Sequence, residues 1–150
     1  MAILPILLEL SGTEQIGLTI IGEARGEPIQ GQVAVGCIIR NRFNLSLAKY
    51  KNYGDVIFEP LQFSCWNEHD PNYSLLSDLG SKLFEGQKVA DVYLRQCMWI
   101  AQGIFDGSIM SNVGNRRFYM ENSLYDYRRP KWAAESKTPL VIGKHTFFNI

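Results

Sequence analysis

The sequence predicts an α+β fold, mainly helical with a small antiparallel sheet near the C-terminus, on three observations. Apolar residues recur one helical turn apart over residues 13–24. The run Val33-Ala34-Val35-Gly36-Cys37-Ile38-Ile39 is apolar on nearly every side, as in a central buried helix. Leu140-Val141-Ile142 and His145-Thr146-Phe147-Phe148 flank Gly143-Lys144, and glycine first in a two-residue turn suits a type II′ hairpin.

The elements follow in order. Ile3-Leu4-Pro5-Ile6-Leu7-Leu8 has no preceding Lys or Arg and ends at Glu9. It is too short to span a bilayer and lacks the basic start of a signal peptide, so it reads as a packing segment. A first helix covers 13–24, with Thr13 as N-cap and Glu14 suited to the first turn. Gly26-Glu27-Pro28 breaks it, because a residue before proline avoids the α region. A second helix starts near Pro28 and runs to about Arg42. Residues 44–71, rich in Asn, Tyr and Pro, read as a long irregular region. A short helix is expected over 75–84. A stronger one over 87–105 has a stripe of Val89, Val92, Tyr93, Gln96, Ile100, Gly103 and Ile104, and Gly107 as its stop. A short strand over 117–120 and the hairpin complete the domain.

Composition bounds the function. The 150 residues suit one domain with a real core, and they are 46% hydrophobic and 20% charged. The formal net charge is zero, without the basic excess of a nucleic-acid binder. The balance is uneven, at −4 over residues 1–110 and +4 over 111–150. The basic part interleaves Arg116, Arg117, Arg128, Arg129 and Lys131 with Phe118, Tyr119, Tyr125, Tyr127 and Trp132. That mixture is either a surface for an anionic polymer with flat faces or a solvated face. Cys37, Cys65 and Cys97 show no metal-ligand spacing and read as reduced thiols.

Glu23 is the residue with chemistry in it. On a period of 3.6 it shares a face with Ile16, Thr19 and Ile20 and so points toward the interior or a cleft wall. Desolvation there raises a carboxyl's pKa and lets it hold a proton near neutral pH. The competing reading pairs Glu23 with Arg25, Arg40 or Arg42 in a purely organising role.

Several segments then line up with one family. Gly22-Glu23-Ala24-Arg25-Gly26-Glu27, Gly31-Gln32-Val33-Ala34-Val35 and Asn41-Arg42 resemble the opening of the SleB-type cell wall hydrolases, which include spore cortex-lytic enzymes and phage endolysins. Pro60-Leu61-Gln62-Phe63-Ser64-Cys65-Trp66 resembles a second block. Phe118-Tyr119, Pro130-Lys131-Trp132 and Ile142-Gly143-Lys144-His145-Thr146-Phe147 resemble the closing blocks. The resemblance runs in order over roughly residues 13–148, while 67–87 match nothing nameable. It implies a lysozyme-like fold, cleavage of peptidoglycan glycan strands, and Glu23 as the catalytic residue. The spore enzymes usually carry a leader and a separate wall-binding domain. Residues 1–150 read as one catalytic domain with neither, which favours a phage or prophage lysin. It would be made in the cytoplasm, act as a monomer, and reach the wall through a separate holin-like pore without stable membrane association.

The residues around Glu23 receive looser roles. Glu27 is the nearest second carboxylate for a hydrolase, but it precedes Pro28 and reads better as an anion near the second helix or a partner of Arg25 or Arg42. With one strong acid, a lytic transglycosylase is preferred to a muramidase: a single carboxylate acts as acid and then base, giving 1,6-anhydromuramyl products. No cofactor or metal is needed. Gln62 and Ser64 suit sugar hydroxyls and N-acetyl groups. Phe63, Trp66 and Trp132 offer faces for sugar rings or pack in the core. Tyr119 is placed to hydrogen-bond Glu23 or to face solvent, and His145 reads as structural support. Glu68-His69-Asp70 reads as solvated loop. Two other classes remain open: a non-catalytic wall-binding or virion protein, and a peptide-cleaving amidase using Cys65 and His69.

Overall fold

The computed structural model describes residues 4–46, 48–60 and 62–150. Ile3 of the N-terminal packing run and Leu61 of the second block lie outside the described residues.

The helices come first in the chain: α1 (Leu4–Glu9), α2 (Gly12–Ala24), α3 (Ile29–Leu45), α4 (Tyr53–Ile57), α5 (Tyr73–Phe84) and α6 (Val92–Asp106). A 3₁₀ turn, Ser64–Trp66, lies between α4 and α5. Then come β1 (Phe118–Glu121), α7 (Asn122–Tyr127), a second 3₁₀ turn at Lys131–Ala133, β2 (Lys137–Ile142) and β3 (His145–Asn149). The three strands form one antiparallel sheet in the order β1-β3-β2. The α+β architecture is as the sequence predicts.

The centre of the domain is α2, which packs against α3, α4, α5 and α6. Its start differs from expectation. Ser11, not Thr13, is the N-cap: Ser11 Oγ accepts from the Glu14 amide at 3.1 Å, and Glu14 Oε1 accepts from the Ser11 amide at 3.0 Å. This reciprocal capping box satisfies two donors that helix starts leave orphaned. Ile16, Thr19 and Ile20 have no exposed surface, so the face they share with Glu23 is an interior one. Trp66 Nε1 donates to Thr19 Oγ1 at 3.1 Å, and Thr19 Oγ1 donates to the Gln15 carbonyl at 2.8 Å.

Other boundaries also move. The second helix extends to Leu45, and its Cys37, Ile38 and Ile39 are fully buried. The stretch expected to be irregular contains α4 and the Ser64–Trp66 turn. The long helix begins at Val92, capped by Asp91, whose side chain accepts from the Leu94 amide at 2.9 Å. Its buried stripe is Leu94, Cys97, Ile100, Ala101 and Ile104, whereas Val92 and Tyr93 are exposed. Gly107 stops it in the left-handed region.

The hairpin is as expected. Ile142 pairs with His145 around Gly143-Lys144, and Gly143 has φ 58°, which a side chain would resist. Strand β3 buries Phe147 against the main core and Phe148 against a smaller cluster with Met120, Tyr125 and Ala133. Helix α7, which closes that smaller cluster, has no counterpart in the sequence prediction.

Candidate active site

Where the end of α2 meets the sheet, the chain leaves a cleft of about 750 Å³. Glu23 lies on its wall, in the last turn of α2. Gly22, just before it, is there for close approach. A Cβ at Gly22 would stand 2.6 Å from Cys65 Cβ and 2.7 Å from both Cys65 Sγ and Leu76 Cδ1. The missing side chain lets the Ser64–Trp66 turn close onto the carboxylate-bearing turn. Asn72 fixes the same turn from the other side, since its Nδ2 donates to the Gly22 carbonyl at 3.1 Å.

Burial is the main influence on Glu23 and pushes its carboxyl up to about 7. A hydrogen bond from the Cys65 amide works against burial, as do the Cys65 thiol and the positive charge of Arg42, while Asp70 adds a further upward push. The Tyr119 hydroxyl also hydrogen-bonds Glu23, and burial with that neighbour holds the phenol well above its ordinary range. A carboxyl so placed still carries its proton over much of the neutral range and can give it up to a basic oxygen.

The remaining predicted residues divide. Gln62 and Ser64 are exposed and line the cleft, and Trp132 stands on its rim, 55% exposed, with its ring 6.0 Å from Phe118 and 6.1 Å from Phe148. Tyr119 and His145 line it too. Phe63 does not. It is 3% exposed, lies in the core, and carries the Arg42 guanidinium 5.0 Å above its ring. Trp66 does not either, being held by Thr19 and packed edge-on against Phe58 at 5.1 Å. The expectation of sugar-facing rings at Phe63 and Trp66 is therefore corrected: neither lines the cleft, Phe63 lying in the core and Trp66 half-buried against Phe58.

Glu27 is also absent from the cleft lining, and its partners are neither Arg25 nor Arg42. Its Oε1 accepts from the Lys144 amide at 2.8 Å and lies 3.2 Å from His145 Nδ1. A Cβ at Gly143 would stand 2.8 Å from that same oxygen, so the hairpin turn needs glycine for space as well as for its φ. Burial lowers the His145 pKa, against the pull of Glu27 and Glu121, so at neutral pH the imidazole is mostly uncharged. Its ring meets Tyr119 edge-on at 5.2 Å.

Asn72 and Glu121 reach the cleft without having been singled out, and Arg42, considered only as an organising partner of Glu23, and Asp70, read as solvated loop, reach it as well. Asp70 is not plain solvated loop, because it lines the cleft, accepts from the Asn72 amide at 2.9 Å and faces Glu23 electrostatically. Glu23 is thus not the lone carboxylate of its surroundings. The Cys65 thiol is buried and its pKa strongly raised, while His69 is exposed, which is the wrong environment for an activated thiolate pair. Among the described residues no group of three His, Cys, Asp or Glu is arranged to hold a metal ion. No described helix is long and apolar enough to cross a membrane.

Comparison with known proteins agrees with the fold. The catalytic domain of the germination-specific lytic transglycosylase SleB from Bacillus anthracis superposes with a TM-score of 0.61 at 25% identity, covering 94% of this chain and 98% of that one. The catalytic domain of the Bacillus cereus SleB protein gives 0.62 at 25% identity, covering 92% and 89%. Spore cortex-lytic enzymes from Bacillus subtilis and Halalkalibacterium halodurans are 53% and 56% identical over 45 residues, 30% of this chain. Those stretches span only 14% and 13% of the relatives' own lengths. The sequence model described as Cell Wall Hydrolase matches residues 26–148, a span that opens just after Glu23 and takes in the second block and the whole sheet. Matched over most of its length, the chain belongs to the cell wall hydrolase family.

Proposed function

We propose that this protein cleaves the glycan strands of peptidoglycan as a lytic transglycosylase, with Glu23 as general acid and then general base. One observation carries the proposal: a carboxyl with a pKa near 7, on the wall of a cleft large enough for sugar rings. The description of one structural relative, the Bacillus anthracis lytic transglycosylase, supports the choice of reaction.

The steps balance without a cofactor. The Glu23 carboxyl gives its proton to the oxygen bridging muramic acid C1 to the next sugar, and the C1–O bond breaks. The 6-hydroxyl of the same muramic acid attacks C1, and its proton passes to the Glu23 carboxylate. The products are a 1,6-anhydro end and a free 4-hydroxyl, and Glu23 is again protonated. The Tyr119 hydroxyl steadies Glu23 through the cycle, Gln62 and Ser64 bond sugar hydroxyls and acetamido groups, and Trp132 supplies a face for a ring.

A hydrolytic outcome is the second reading, favoured by Asp70 and Glu121 on the same cleft, either of which could activate water. Digestion of purified cell wall by the protein and by Glu23→Gln tests both. Loss of clearing in a folded Glu23→Gln variant and anhydromuramyl ends from the wild type support the proposal. New reducing ends select hydrolysis, and undiminished clearing by Glu23→Gln removes Glu23 from the chemistry.

The setting we propose is that of a phage or prophage lysin, made in the cytoplasm and reaching the wall through a separate pore. Expression in a bacterial host tests it: lysis only when a membrane pore is co-expressed supports it, and lysis by the chain alone rejects it.

A further inference from the structure

Arg42 is the least explained residue of the cleft. Its side chain is nine-tenths buried, at 9% exposed. Nε donates to the Arg117 carbonyl at 2.6 Å, and the guanidinium lies 5.0 Å from the Phe63 ring centre and 5.8 Å from that of Phe118. Its Nη1 is fully buried with no hydrogen-bond partner, and no ion pair joins it to a carboxylate among the described residues. A buried guanidinium left without a counter-charge is costly, and such a group in a native site calls for a reason.

The acidic groups that face it are Tyr119, Tyr50, Glu59 and Glu23. Burial keeps both phenols neutral. Glu59 is already engaged, 2.6 Å from Lys49 Nζ and accepting from the Tyr50 hydroxyl at 2.6 Å. Glu23 remains. It faces Arg42 from α2, with Cys65, Asp70 and Tyr119 as its other titratable neighbours, and of these only Asp70 carries a negative charge.

We propose that Arg42 is a positioning residue that supplies the counter-charge for the carboxylate form of Glu23, the form that exists between proton donation and proton return. Its Nη1, buried and without a hydrogen-bond partner, is the donor left over for that carboxylate. The proposal rests on the reading of Glu23 as the acid–base residue, but its test does not require activity.

The test is nuclear magnetic resonance on the full chain, following the Glu23 carboxyl carbon and the Arg42 side-chain nitrogens across pH. The Arg42 signals are expected to move with the Glu23 midpoint and to stay flat in Glu23→Gln. In Arg42→Met the Glu23 midpoint is expected to rise by roughly one pH unit, and in Arg42→Lys to return most of the way. In wall digestion Arg42→Met is expected to lose about tenfold or more in kcat with little change in KM, because the counter-charge serves the carboxylate and not the protonated acid that meets substrate. Arg42 signals indifferent to Glu23, or an unmoved Glu23 midpoint in a folded Arg42→Met, would overturn the proposal. Activity surviving in Glu23→Gln would instead count against the proposed function and leave this readout standing. If Arg42→Met does not fold, the wild-type and Glu23→Gln titrations decide alone.

Discussion

Glu27 Oε1 accepts a hydrogen bond from the Lys144 amide at 2.8 Å, joining the corner between α2 and α3 to the hairpin turn across 117 residues of chain. This contact is one of the ties that hold the sheet beside the end of α2, together with the bonds from Asn41 and Arg42 to the carbonyls of Arg116 and Arg117. Glu27→Ala is expected to cost about 1–2 kcal/mol, because a bond to a carboxylate is lost while the Lys144 amide, at an exposed turn, is taken up by water. Activity should fall as well, because His145 loses its neighbour and lies edge-on against Tyr119. Urea denaturation together with wall-clearing assays checks both effects.

Gly22→Ala forces a methyl to within 2.6 Å of Cys65 Cβ. The Ser64–Trp66 turn must move away, taking with it the amide that bonds Glu23. The expected cost is about 1–3 kcal/mol of stability. The turnover loss should exceed the loss given by an overpacked glycine remote from the cleft, such as Gly17→Ala against Met98.

Two aromatic substitutions separate packing from binding. Phe63→Ala, in the core, is expected to destabilise by about 3–5 kcal/mol. Trp132→Ala, on the rim, should leave the melting temperature within a few degrees and raise KM for wall several-fold. The reverse pattern would exchange the roles assigned to the two rings.

Much of this was legible in the sequence, for physical reasons. Glu23 could be placed because a helix repeats every 3.6 residues and Ile16, Thr19 and Ile20 mark its inner face. The hairpin could be placed because few residues other than glycine take the φ of Gly143. The errors at Phe63 and Trp66 have a different source. In Gln62-Phe63-Ser64-Cys65 the polar residues face out and the apolar ones in, an alternation that was available as a signal. Trp66 could not be read that way, since its indole finds Thr19 47 residues earlier. Arg42, Asp70 and Glu121 come together only through the packing of α3, the loop before α5 and β1, and local pattern says nothing about such meetings. Helix α7 is six residues long and gains its order from Tyr125 on Phe148, a tertiary contact.

Glu23 also carries a stability cost whose sign can be stated. Its folded pKa, about 7, lies above the ordinary 4.5, so between those values the folded state binds more protons than the unfolded one. Stability therefore falls as pH rises through that window. Glu23→Gln removes the penalty and is expected to be more stable than wild type at pH 8 by roughly 2–3 kcal/mol, with little difference near pH 4. Parallel urea titrations at the two pH values check it.

The most direct measurement is the midpoint of the Glu23 carboxyl in the wild-type protein, read by carbon-13 resonance and set beside the pH dependence of kcat/KM for wall cleavage. A midpoint near 7 that coincides with an activity falling above it is the predicted result, because the general acid must hold its proton. A midpoint near 4.5, with activity undiminished well above neutrality, would contradict Glu23 as the proton donor.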